Sequence, residues 1–462
     1  MIVDRRTLLA ALSCAAASPA AAQGAASGSA RPRAAAKAAD RSGDDSRTGA
    51  WRGRRGVNVT TPFVGPAVAS PKAYHPAAYK QHRDLAYEMK TWTEFKAIGH
   101  LAKIKAAGFD HIRLIFDPGP MVLARKAADK TTYGRYRQQI IAVVQDYVDH
   151  GLAVMLNLHP QRDDVSPLNW HNTIGGGLTN AMYVAYRETA ADVAAAIVEK
   201  WSTALVCLEP YNEPAPAADH DIAWAARCKD MHRAIRAAAG PHLTVIWGPD
   251  SWYDRARLSQ FSASEFDDRT SWAFHFYEPR CFAFQGYPLS MSMSPNHFIR
   301  GLEFPPRQGR RQGSIDAAVA RIEAARVISA AQKHKFKSQV IADLGAYYDT
   351  PQDGAWMERV VLGSVAQWAD RQGISGDRIF CNEFGVNRDW PIEWSRAVGV
   401  DTGAKGATLA DRTSQLGAFV QALEARGFRW TCFDWCGPDF GITSLDGRFD
   451  LLAGMKAALE LA

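Results

Sequence analysis

Residues 108–116 read Gly108-Phe109-Asp110-His111-Ile112-Arg113-Leu114-Ile115-Phe116. The glycine closes what precedes it, and a run rich in β-branched and aromatic residues follows. Ahead of it, Phe95, Ile98, Leu101 and Ile104 share one face of a helix with 3.6 residues per turn. The theme then repeats. Tyr136, Ile140, Val143 and Tyr147 form a second helical face ending near Gly151, and residues 153–158 form the next apolar run. Further strands are predicted at 56–60, 205–211, 243–247, 272–276, 379–382 and 430–434, which makes eight in all. Several are apolar at successive positions instead of alternating, the pattern of parallel strands covered by helices. Eight strand-then-helix units predict an α/β fold closed into a (β/α)8 TIM barrel, not an open doubly wound sheet. The stretch 277–378, between strands six and seven, is far longer than one such unit needs. It predicts a long excursion, with helical pieces at 315–333 and 357–372 and a loop rich in aromatics, Pro and Met at 279–305 that shapes the barrel mouth.

Composition narrows the class. The chain has 462 residues, 47% hydrophobic and 22% charged, enough to bury a large core and unlike a disordered tail. The net charge of +6 resides in the first 56 residues, so residues 57–462 are formally neutral and a nucleic-acid partner is not expected. Residues 1–22 have the three parts of a secretory signal: Arg5-Arg6, an apolar stretch through Ala17, and Ala20-Ala21-Ala22 before Gln23. The paired arginines resemble a twin-arginine signal, although an ordinary basic leader has the same pattern, and Cys14 as a lipid attachment site is a weaker alternative. Residues 23–50, rich in Ala, Ser, Gly and Arg, read as a flexible linker, and 51–462 as the catalytic body. An exported, periplasmic or secreted monomer is the expectation, with no integral membrane segment after signal removal. The six cysteines beyond Cys14 form no CxxC pair, so they read as small buried thiols, and no metal site is expected. No GxGxxG or GxxxxGKS loop follows a strand, and no cofactor is expected.

In a TIM barrel the reactive groups lie where strands end at the C-terminal face. Strand four runs into Leu208-Glu209-Pro210-Tyr211-Asn212-Glu213-Pro214, and strand seven into Phe380-Cys381-Asn382-Glu383-Phe384-Gly385. Each places a carboxylate at a strand terminus, and barrel closure brings both to one rim. Two carboxylic acids facing a common cleft are the equipment for cleaving a glycosidic bond.

With those two segments, Gly108-Phe109-Asp110-His111-Ile112-Arg113-Leu114 and Trp272-Ala273-Phe274-His275-Phe276-Tyr277 make the chain resemble glycoside hydrolase family 5, the cellulase family, from about Arg55 to Trp435. The resemblance places Arg113, His159, Asn212, Glu213, His275, Tyr277, Glu383 and Trp435 around the cleavage subsite. It departs beside two of them, where Pro160 follows His159 and Cys436 follows Trp435. It implies a retaining mechanism with carboxyl groups about 5 to 5.5 Å apart. Glu213 is then the general acid and base, holding a proton while Glu383, the nucleophile, stays ionised. Arg113 and the Tyr277 hydroxyl keep Glu383 charged and aimed, and Asn212 donates to the sugar 2-hydroxyl. His159 and His275 orient the carboxylates or bind hydroxyls. Trp435 offers a flat face for a pyranose ring, and Trp170, Trp252, Trp390 and Trp394 lie in loops that extend such a platform. The implied activity is hydrolysis of a β-linked polysaccharide or oligosaccharide, most simply as an endo-β-1,4-glucanase. The alternatives are the same chemistry on mannan, β-1,3-glucan or a bacterial exopolysaccharide, a non-catalytic carbohydrate-binding barrel, and a metallohydrolase. Against the last, Val57-Asn58-Val59 stands where HxH would end strand one.

Overall fold

A computed structural model describes residues 48–61, 85–160, 177–214, 223–289, 294–350, 352–389 and 405–461. The leader and most of the linker therefore lie outside the described residues, as do Trp170, Trp390 and Trp394. Eight strands close a barrel in sequence order: β1 Arg55–Val59, β2 His111–Phe116, β3 Ala153–Leu158, β4 Val206–Glu209, β5 Val245–Trp247, β6 Thr270–Phe276, β7 Ile379–Phe384 and β8 Arg429–Cys432. All neighbours pair in parallel, and β8 returns to β1. Apart from Arg55 and Arg429 at the strand starts, the strand side chains are buried on both faces.

The alternation of side chains along each strand sorts them into two sets. Ile112 and Leu114 of β2, Val154 and Leu156 of β3, and Val206 and Leu208 of β4 face the helices. Ala153, Met155, Cys207, Ile246, Ala273 and Phe380 face the barrel interior, where Trp51 and Tyr253 complete a second core. Trp51 is 2% exposed, and the chain just before it is tied down by Thr203, whose hydroxyl donates to the Gly49 carbonyl at 2.8 Å. Residues 48–50 thus belong with the body. One layer higher, the same inward positions become polar: Asn58, Arg113, Asn157, Glu209 and His275. This polar layer, inside strands that otherwise read as apolar, is where the fold places the chemistry.

The described helices of eight residues or more are α1 Leu85–Ala97, α2 His100–Ala107, α3 Gly119–Lys126, α4 Lys130–Asp149, α5 Ala181–Lys200, α6 Trp224–Ala239, α7 Arg311–Ala324, α8 Ala330–Asp349, α9 Gly363–Gln372 and α10 Leu409–Ala425. Their starts follow capping chemistry. The Asp129 side chain accepts from the Thr132 N–H, Asn180 from Met182 and Tyr183, and Thr408 from Asp411. α2 stops at Gly108, whose φ of 107° only glycine adopts without strain.

The excursion after β6 differs from expectation in one respect. The periodicity predicts a single helical piece at 315–333, but the chain breaks there: α7 ends at Ala324, and α8 starts afresh behind a capping box in which Ser329 and Gln332 satisfy each other's backbone N–H. α8 then continues to Asp349, well past the expected end. Residues 357–372 form a π-helical turn running into α9, whose Trp368 packs edge-on against Trp272 of β6 with ring centroids 5.5 Å apart. That helix is the outer cover of β6, and the excursion proper is what precedes it. All six described cysteines are free and buried.

Candidate active site

The polar layer is organised around Arg113, which is 0% exposed. Its Nε and Nη2 donate to the two oxygens of Glu209 at 2.6 and 2.9 Å. Nη1 donates to Asn58 Oδ1 at 2.9 Å and Glu383 Oε1 at 2.6 Å, and Nη2 to Asn212 Oδ1 at 2.6 Å. Burying a guanidinium costs several kcal/mol, and this one is held by two carboxylates and two amides, the condition under which such burial is tolerated. Burial by itself lowers the Arg113 pKa, but Glu209 and Glu383 outweigh it and raise it, so the cation is permanent.

The register of β6 against β7 slips at one point. Phe274 pairs with Cys381 and His275 with Glu383, which leaves Asn382 as an extra residue. A bulge of this kind re-aims side chains. Its consequence is that two consecutive residues reach the same interior cluster: Asn382 Nδ2 donates to Glu209 Oε1 at 2.8 Å, while Glu383 meets Arg113. The second Glu383 oxygen accepts from the Tyr277 hydroxyl at 3.1 Å.

Glu213 reaches the site from above β4. Its φ of 43° is a left-handed conformation that costs a non-glycine residue of the order of 1 kcal/mol. The neighbouring backbone is held from the β5 loop, where Ser251, Trp252 and Tyr253 are also left-handed, with φ of 58°, 60° and 58°. Trp252 N–H donates to the Pro214 carbonyl at 3.2 Å, and the buried Tyr253 hydroxyl donates to the Tyr211 carbonyl. Tyr253 also lies against the His275 ring, centroids 4.7 Å apart. His275 Nδ1 is 2.6 Å from Glu213 Oε1 and 3.6 Å from Glu383 Oε2. The three groups place one ligand atom each within 4.8 Å of one another.

Burial governs the electrostatics of the site. Burial is the largest influence on Glu383 and raises its pKa; His275 and Arg113 pull it back, and Glu213 pushes it up again. Burial also lowers His275 to about 4 against the pull of Glu383, so the imidazole is neutral at neutral pH. Tyr277 is pushed well above its ordinary value by burial and then by Glu383, so it stays a donor. The charged form of Glu383 is favoured by a cation on one of its oxygens and a hydroxyl on the other. The trio has the donor types of a metal site, but Glu383 already spends both oxygens on Arg113 and Tyr277, and a cation placed there meets Arg113 as a like charge.

Of the other expected residues, Asn212 and His159 lie together. Asn212 Nδ2 is 3.2 Å from His159 Nε2, and His159 Nδ1 is 3.1 Å from Asn157 Oδ1. Because Arg113 fixes the Asn212 oxygen, the amide donates to Nε2, the ring proton sits on Nδ1, and one amide hydrogen of Asn212 remains for a ligand. Trp252 is half-buried, with its backbone N–H on the Pro214 carbonyl. Trp435 is a correction. It is 1% exposed, its Nε1 donates to His100 Nδ1 at 2.8 Å, and it packs edge-on against Phe109 behind the barrel wall. β8 ends at Cys432, not at 434 as expected, and the ring left half-buried at the rim is Phe433. Glu209, Asn58, Asn382 and Tyr253 also belong to the site, beyond the residues expected from sequence. Charged or amide residues within an apolar strand were the available signal for the first three; none marks Tyr253.

No curated protein sequence matches the chain. Residues 78–298 match the family described as Cellulase (glycosyl hydrolase family 5), a span holding Arg113, Glu213 and Tyr277 but ending before β7. The endoglucanase Cel5A from the hyperthermophilic Thermotoga maritima superimposes with a TM-score of 0.52 at 18% identity, over 88% of this chain and 96% of that chain. A hyperthermophilic endo-β-1,4-glucanase in complex with substrate gives 0.51 at 16%, over the same shares. At these identities the likeness speaks to the fold. Fold and family match together define the class: the protein is a glycoside hydrolase. Over residues 78–298 the chain is similar to glycosyl hydrolase family 5, the cellulase family, and it acts on β-glycosidic bonds.

Proposed function

We propose that the protein is a retaining endo-acting β-glycanase, with β-1,4-glucan as its simplest substrate, in which Glu383 is the nucleophile and Glu213 the acid and base. The observation that carries this reading is that one carboxylate oxygen of Glu213 and one of Glu383 lie within 4.8 Å of each other. An inverting enzyme needs about 6.5 to 9.5 Å to seat a water between them. In the first step Glu383 attacks the anomeric carbon and forms an ester as the bond to the leaving oxygen breaks, and Glu213 gives that oxygen its proton. In the second, Glu213 takes a proton from water, the water oxygen bonds the anomeric carbon, and Glu383 leaves as a carboxylate. Arg113 and Tyr277 stabilise the charge on Glu383 before and after the ester exists. The free amide hydrogen of Asn212 is available to the 2-hydroxyl, where a hydrogen bond strengthens as positive charge develops on the sugar.

The decisive experiment is proton NMR of the first product anomer from a soluble β-1,4-glucan, with a 2-deoxy-2-fluoro glycoside trap mapped by mass spectrometry. Retention with label on Glu383 is expected; an inverted product rejects the mechanism. Export through residues 1–22 belongs to the same proposal, and is tested by whether the leader carries a reporter across the bacterial inner membrane.

A further inference from the structure

A cavity of about 780 Å³ opens between the excursion and the described ends of the segment after β7, Asp389 and residues 405–408. Both segments follow strands at the C-terminal end of the barrel, the end that carries Glu213 and Glu383. Its charged lining is Arg300, Arg310, Arg321 and Lys405 against Asp389. Arg310 caps the start of α7 and Arg321 lies near its end, and between them the helix lines the cavity with the small side chains of Gly313, Ser314 and Ala317. A groove floored with small residues and bounded by cations has room for a ligand between the charges. Arg310 is paired with Glu303. Arg321 donates to the Phe298 carbonyl at 3.0 Å, but among the described residues neither it nor Lys405 makes an ion pair. Burial lowers the Arg321 pKa with no carboxylate to oppose it.

A wall of contacts leads from the nucleophile to this cavity. Tyr277, on Glu383, has its ring 5.4 Å from Phe440, and Phe440 is 5.9 Å from Tyr287. The Tyr287 hydroxyl donates to Asp439 at 3.4 Å, and the Asp439 carbonyl accepts from the N–H of Arg388, the neighbour of Asp389. Tyr277 and Tyr287 are half-buried with Phe440 buried between them, and the exposed parts of the two tyrosine rings suit pyranose faces; a cationic pocket at the end of such a wall suits an acid carried by the same chain.

We propose that this cavity is an accessory subsite that binds the carboxylate of an acidic sugar unit, so that the natural substrate is a β-linked polysaccharide bearing uronic acid or carboxylated branches. The assignment deepens the β-glycanase reading and rests on it. Ionic contacts at a partly solvated site contribute modestly, roughly a twofold to fivefold change in affinity for each cation, and weaken with salt.

The test uses two polymers with one backbone, carboxymethyl-cellulose and hydroxyethyl-cellulose, in affinity gel electrophoresis of the full chain. Retardation by the carboxylated polymer is expected to fall about fivefold to tenfold in Lys405→Gln/Arg321→Gln, with retardation by the neutral polymer unchanged. Lys405→Gln alone, at an exposed position, is expected to give a twofold to fivefold loss and guards against misfolding of the double variant. Equal effects on both polymers, or none on either, overturns the proposal. So does loss of retardation in sodium phosphate beyond that in sodium chloride of equal ionic strength, which assigns the pocket to a small free anion. Because retardation needs no turnover, a wild-type protein that binds the carboxylated polymer but hydrolyses neither refutes the β-glycanase reading and leaves the pocket assignment standing.

Discussion

Replacing Arg113 with lysine keeps the charge and removes the geometry. The guanidinium makes five hydrogen bonds, to both oxygens of Glu209, to Asn58, to Asn212 and to Glu383. An ammonium has three donors at one point, so at least two of these buried acceptors lose their partner. Each buried acceptor left unsatisfied costs about 1–3 kcal/mol, which predicts a loss of roughly 2–6 kcal/mol in unfolding free energy. Catalysis suffers separately: a displaced cation no longer fixes the Glu383 oxygen at 2.6 Å, and loss of one such preorganised contact lowers the rate by about a hundredfold or more. Urea unfolding at pH 7 and kcat/KM on an aryl β-cellobioside read the two effects, the second at a urea-free temperature where the variant is fully folded. A variant within about 1 kcal/mol of wild type and within fivefold in kcat/KM contradicts the account of the hub. A large stability loss with unchanged kcat/KM makes Arg113 a structural ion pair with no part in aiming the nucleophile.

The remaining predictions concern single contacts. Tyr277→Phe removes a hydrogen bond that favours ionised Glu383, whose pKa already lies above the ordinary value; because Glu383 must be a carboxylate to attack, the acid limb of kcat/KM should move to higher pH, and an unmoved limb denies the contact. Glu213→Ala should spare the first step for substrates with good leaving groups and let azide rescue the second as a β-glycosyl azide; uniform loss across leaving groups without rescue removes Glu213 from acid–base catalysis. Glu383→Gln should abolish turnover and unfold at a higher temperature than wild type near pH 7. The sign follows from the raised pKa: stability tied to the protonated carboxyl is complete below the unfolded pKa and lost as pH rises through the folded one, so the gap between variant and wild type should widen across that window. A gap that is flat with pH disproves the shift. Tyr253→Phe frees the Tyr211 carbonyl under the strained Glu213 backbone; kcat on poor leaving groups should fall about tenfold with KM little changed, whereas an equal fall on activated substrates would make the contact merely structural.

The barrel was legible in the chain because its signal is local. Apolar runs such as 111–116 and 153–158 match the observed strands end to end, and glycines at 108 and 151 mark where helices stop. Charge placement, the two carboxylates at strand ends and the length of the excursion could also be read in one dimension. The readings that failed depended on geometry at element ends. Trp435 looked like a sugar platform, but β8 stops at Cys432 and the chain turns the indole back onto His100, leaving Phe433 at the rim. The helix expected at 315–333 is two, since a Ser329 cap outweighs the continuous periodicity. The bulge at Asn382, the left-handed turn at 251–253 and the ion pair of Arg113 with Glu209 were decided by tertiary structure alone. Each needs partners far apart in sequence: a bulge exists only against the neighbouring strand, a strained backbone persists only where Tyr253 and Trp252 hold it, and a guanidinium is buried only where the closed barrel supplies its acceptors.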